Sequence, residues 1–218
     1  EVIDAEPLTV LPGEGRGSVT GVTERDSLAV VAPPTGTSFL IPAAVKAAGS
    51  NGAAFFSDGW LRNLVSTPTP VEMYFTPRDK NGLVAGDVLK VATSLPASTT
   101  LRLSDLLGSL YSASGSGQIE VRSPSPQALS LKTTVEAVTG GDAALRFGTE
   151  IPTVAYGSGV GASDGELVLP GISDDAQNRC NLILAETTGS ASTVTVTVNG
   201  PSGDLKGSGT YSVAPYGQ

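Results

Sequence analysis

Val71-Glu72-Met73-Tyr74-Phe75 and Val194-Thr195-Val196-Thr197-Val198 share a period of two, the spacing of a strand with one face buried. Each run leads into turn residues, Asp79-Lys80-Asn81-Gly82 in the first case and Asn199-Gly200-Pro201-Ser202-Gly203-Asp204 in the second. Asn and Gly tolerate the positive φ that tight hairpins need. A second strand then returns, around Asp87-Val88-Leu89-Lys90-Val91 and around Gly209-Thr210-Tyr211-Ser212-Val213. The chain therefore reads as all-β, with hairpins in matching positions.

The match extends outward from these hairpins. Upstream, Arg62-Asn63-Leu64-Val65 and Cys180-Asn181-Leu182-Ile183 both place an Asn before an apolar pair. Further upstream, Phe39-Leu40-Ile41-Pro42-Ala43 and Thr149-Glu150-Ile151-Pro152-Thr153 each carry an Ile-Pro that opens a module, and downstream Leu95-Pro96 corresponds to Ala214-Pro215. Repetition at this long period divides the chain. One module is expected over residues 38–137 and a second over 138–218, a length of 218 residues suiting two cores of about 100 residues each. Short strands punctuated by Gly and Pro predict tandem Ig-like or Greek-key sandwiches.

The first module continues past Leu95-Pro96 into Leu101-Arg102-Leu103-Ser104-Asp105-Leu106-Leu107-Gly108-Ser109-Leu110-Tyr111. Its apolar positions 103, 106, 107, 110 and 111 fall at helical spacing, so one short helix is expected over Ser104–Tyr111. Two strands follow, at Gln118-Ile119-Glu120-Val121 and Ala128-Leu129-Ser130-Leu131-Lys132, whereas the second module stops at Tyr216-Gly217-Gln218. Its missing strands have counterparts at the other end, Ser18-Val19-Thr20-Gly21-Val22 and Ser27-Leu28-Ala29-Val30-Val31. Residues 1–37 thus read as a donor segment that completes module two, either within the chain or in a neighbour. Val19, Val22, Leu28, Val30 and Val31 would be inserted, and Val194, Val196, Val198 and Tyr211 would receive them. Exchange between chains is favoured, because module one intervenes between the two ends and a head-to-tail contact that does not close generates a filament.

Phe39-Leu40-Ile41-Pro42-Ala43-Ala44, Leu61-Arg62-Asn63-Leu64, the alternating strand, the Leu-Pro turn and the Leu-Ser-Asp-Leu-Leu helix resemble tandem β-sandwich modules of the Ile-Pro-Ala repeat type in secreted bacterial surface proteins. That resemblance implies a scaffold carried outside the cell and brings no catalytic residues with it.

The remaining chemistry is sparse. With no His, Ser-His-Asp catalysis and His-bearing zinc sites are excluded. Cys180 is the single cysteine, so no intrachain disulfide can form, and its strand-like surroundings predict a small buried hydrophobe. Asp174-Asp175 and Asp164-Gly165-Glu166 could offer carboxylates to calcium, and Asp79-Lys80-Asn81-Gly82 is part of such a loop without its later ligands. The turn reading is preferred, and no metal, cofactor or enzymatic activity is expected. Phe55, Phe56, Trp60 and Tyr74 could form a sugar-stacking platform, yet Phe55 and Trp60 are expected in the core, with Tyr111 anchoring the helix to a sheet.

A net charge of −8 and the absence of a basic cluster argue against nucleic acid and anionic membrane as partners. No apolar run approaches the roughly 20 residues of a membrane span, and the first residue, Glu1 in place of Met, suggests a removed leader. The expected function is a structural subunit of an extracellular bacterial filament or surface layer whose partners are copies of itself. The alternative is a cell-surface adhesin or carbohydrate-binding module with a glycan or surface ligand.

Overall fold

The computed structural model describes residues 38–49, 52–84, 86–139, 146–155, 158–172 and 180–218. The donor residues Val19, Val22, Leu28, Val30 and Val31, and the Asp174-Asp175 pair, lie outside them. The described chain is mostly strand with one small helix, and its sheets are antiparallel, as an all-β reading requires. The strands are β1 (Ser38–Ala48), β2 (Ala54–Asn63), β3 (Thr69–Pro77), β4 (Leu89–Leu95), β5 (Thr100–Leu103), β6 (Gly115–Arg122), β7 (Leu129–Val138), β8 (Arg146–Ile151), β9 (Val154–Ala155), β10 (Ser192–Asn199) and β11 (Leu205–Val213), with helix α1 at Leu106–Tyr111.

Nine strands form one sheet in the order β4-β3-β6-β1-β2-β7-β8, with β5 added to β2 and β9 to β1. The core joins Met73 and Phe75 of β3 and Ile119 and Val121 of β6 to Leu61 of β2, Leu101 and Leu103 of β5 and Leu129 of β7. Residues from both halves of the strand order meet in one cluster, so the sheet folds over itself in a sandwich-like way. Pro42 sits inside β1 where the register to β6 shifts between Ile41 and Ala44, the bulge position at which a strand tolerates a residue without an N–H.

The helix covers this core. Leu103, Leu106, Leu107, Leu110 and Tyr111 are all buried, and the Tyr111 ring lies 5.4 Å from that of Phe75. Asp105 caps the first turn by accepting from the Gly108 amide, as an N-cap carboxylate should. Gly59 on β2 makes room for the helix, since a Cβ there would sit 3.0 Å from Leu106 Cδ1.

Asn63, at the end of β2, has no solvent exposure. Its Nδ2 donates to the carbonyls of Thr67 (2.8 Å), Pro96 (3.0 Å) and Leu95 (3.1 Å), and its Oδ1 accepts from Val65 N and Thr69 Oγ1. One amide thus ties the start of β3 to the Leu-Pro turn that ends β4.

Three expectations are corrected. The boundary at 137/138 falls inside a strand pair, because β8 pairs with β7 from Thr133↔Ile151 to Val138↔Arg146, and β9 pairs with β1. Without β8 the outer edge of β7 would be left unpaired. The run around Cys180 is irregular among the described residues and Cys180 is exposed. Phe55 and Trp60 are not core residues. The core parity of β2 is carried by Ser57, Gly59, Leu61 and Asn63, which puts Trp60 half-buried on the other face and leaves Phe55, 37% exposed, at the open end of the strand.

Candidate assembly surface

Val and Thr alternate along β10, and the turn closes through Gly200 N to Asp204 O (2.7 Å) and Gly203 N to Gly200 O (2.9 Å), with Gly203 at φ +82. The register places Val194 opposite Tyr211, Val196 opposite Gly209 and Val198 opposite Gly207. Cross-strand partners share a face, so one side of the hairpin is Val194, Val196, Val198 and Tyr211 with two glycines, and the other is Thr and Ser. The four residues expected to receive a donor therefore form one stripe. Val194 and Val196 are half-buried, Val198 is 44% exposed and Tyr211 is 53% exposed. Among the described residues no third strand joins β10 and β11, although a two-stranded ribbon alone is marginal in water.

The contrast with the first half is consistent. Beyond residue 155 the buried hydrophobic residues are Val213 and Tyr216 among those described, whereas Leu167, Val168, Leu169, Ile172, Leu182, Ile183 and Leu205 are exposed.

The C-terminal residues hold the hairpin to the first sheet. Gln118 Nε2 donates to Tyr216 O (2.5 Å), Gln218 Nε2 to Pro42 O (2.5 Å) and Gly82 N to Pro215 O (2.8 Å). The buried Glu186 carboxylate accepts from Thr188 N (2.6 Å), Gly189 N (2.9 Å) and Tyr216 N (3.0 Å). Burial pushes this carboxyl up, but its hydrogen bonds from the Thr188 hydroxyl and the three backbone amides outweigh that and hold it below the usual carboxylate range. The sequence comparison assigned the counterpart of Asn63 to Asn181, which is exposed. Glu186 performs the equivalent task, a role that a search for matching residue types could not find.

A cavity of about 760 Å³ opens beside β1, β2 and β5, lined by Lys46, Phe55, Phe56, Asp58, Arg102 and Arg146 among others. Its charges are largely answered from within. Lys46 pairs with Asp105, Arg102 pairs with the buried Asp58 (3.3 Å), and the Arg146 guanidinium lies 4.9 Å from the Phe56 ring centre. Tyr74, the remaining aromatic candidate, is buried beneath Arg122 at 4.2 Å and donates to Glu72 (2.7 Å), so its face is unavailable to a sugar. Among the described residues no group of three potential ligands could hold a metal, and no helix is long and apolar enough to cross a membrane.

No family model and no curated protein matches the chain. A solved structure, "Crystal Structure of Thermotoga maritima 1070", aligns with 52% of this chain and 90% of its own at 13% identity and a TM-score of 0.40. A likeness at that level carries no argument about fold or function.

Proposed function

We propose that the chain is a structural subunit of an extracellular bacterial filament or surface layer, built from two tandem sandwich modules and joined head to tail by strand complementation. The observation that carries this reading is the incompletely buried apolar stripe of Val194, Val196, Val198 and Tyr211 on a two-stranded ribbon. Residues 1–37 of a neighbouring copy complete the second module, with Val19, Val22, Leu28, Val30 and Val31 entering its open core. Main-chain hydrogen bonds then supply affinity, and alternate side chains supply register. The extracellular placement rests on the likeness of the Ile-Pro-Ala modules to secreted surface proteins. Sedimentation velocity of the chain lacking residues 1–33 tests the proposal. The full chain should form concentration-dependent polymers and the truncated chain should remain a folded monomer; a full chain that stays monomeric at high concentration sinks the reading.

A second reading, a carbohydrate-binding adhesin, is favoured by Phe56 and Trp60, both half-buried on the face of β2 away from the core. Reproducible glycan-array binding abolished by Trp60→Ala would support it.

A further inference from the structure

The two hairpins share more than alternation. In β3, Val71, Met73 and Phe75 face Thr93, Val91 and Leu89 of β4. In β10, Val194, Val196 and Val198 face Tyr211, Gly209 and Gly207 of β11 with the same two-residue steps. The segment that follows each hairpin is stapled back by the same kind of bond, Asn63 N to Thr99 O (2.8 Å) and Glu186 N to Gly217 O (2.9 Å). Position by position, β10 stands for β3 and β11 for β4.

The first sheet then says which edge is incomplete. β4 ends the strand order and pairs with β3 alone, whereas β3 is flanked on its other side by β6, with Met73 opposite Val121 and Phe75 opposite Ile119. β10 has no such second neighbour among the described residues. Ser18-Val19-Thr20-Gly21-Val22 is the sequence counterpart of β6.

We propose that the edge of β10 facing away from β11 is the acceptor, and that residues 18–22 of a second copy of this chain lie antiparallel along it with Val19 opposite Val198. This rests on the assembly reading above and adds to it the edge and the register. Val19 and Val22 are three residues apart, so both reach one face only across a bulge, which Gly21 accommodates. Residues 27–31 then follow as β7 follows β6; β7 pairs with β2 and not with β3, so Leu28 and Val30 close the core without touching β10. A second copy is the occupant under that assembly reading, in which module one intervenes between residues 1–37 and the hairpin along the chain.

Disulfide trapping between full-length chains carrying Cys180→Ser tests this. Chains with Val19→Cys are mixed separately with chains carrying Val198→Cys or Gly207→Cys, then oxidised, with polymerisation before oxidation followed by sedimentation. The expected result is a covalent dimer with Val198→Cys and none with Gly207→Cys, because Cα atoms more than about 7 Å apart cannot be bridged. Polymers that trap through Gly207→Cys, or through neither, overturn the β10 edge and leave the assembly reading standing. A chain carrying both Val19→Cys and Val198→Cys that closes on itself as a monomer overturns the second copy and the assembly reading together.

Discussion

Truncating Asn63 to Ala removes the amide that joins β2, the start of β3 and the Leu95-Pro96 turn. Its Nδ2 serves three carbonyls and its Oδ1 two donors, all between 2.8 and 3.2 Å. Two N–H groups shared among three carbonyls, and two accepted bonds, are lost at a position without solvent exposure. At about 1 kcal/mol for each buried bond, and more where a partner is left unsatisfied, the cost is roughly 3–5 kcal/mol. For a domain of this size about 4 °C of Tm accompanies each kcal/mol, so differential scanning calorimetry should show a fall of roughly 12–20 °C. Asn63→Asp should cost at least as much, because a carboxylate would then face the carbonyls of Thr67, Leu95 and Pro96. A loss below about 4 °C for Asn63→Ala, equivalent to about 1 kcal/mol, would refute the claim that this amide organises the hairpin.

Glu186 carries a pH dependence. Its carboxyl is held below its ordinary value in the folded chain, so its stabilising effect is complete above the unfolded value of about 4.3 and is lost as pH falls through the lower folded value. Hydrogen-exchange protection of the Tyr216 amide should fall in that window in the native chain and show no such transition in Glu186→Gln; a flat native profile would contradict this. The Tyr111 hydroxyl is buried without a hydrogen-bond partner among the described residues, and burial pushes its ionisation far up. Tyr111→Phe keeps the ring on Phe75 and should leave stability unchanged or raise it by about 1 kcal/mol in urea unfolding, whereas a loss of that size would reveal an unrecognised partner.

Much of the local architecture was legible in the sequence because it is written in periodicity. The alternation of Val71–Phe75 and Val194–Val198 marks β3 and β10, and positions 103, 106, 107, 110 and 111 mark the buried side of α1 and its approach. Pairing was less legible. Nothing in Arg146–Ile151 says that it covers β7 before any second module begins. Aromatic content likewise does not say which parity of β2 faces inward, which is what misplaces Trp60, nor that Phe55, on the inward parity, lies at the open end of the strand. The Asn63 counterpart was missed because a carboxylate can replace an amide once backbone N–H groups surround it, as they do at Glu186.

The central claim is that one chain's N-terminal segment completes another chain's second module, and a mixing experiment between two defective chains tests it most directly. A chain lacking residues 1–33 keeps the acceptor and loses the donor; a full-length chain with Val196→Glu keeps the donor and places a charge in the acceptor stripe. Each alone should sediment as a monomer, and the mixture should form a one-to-one dimer that grows no further. Two monomers that remain separate after mixing, at concentrations where the native chain polymerises, would contradict the account.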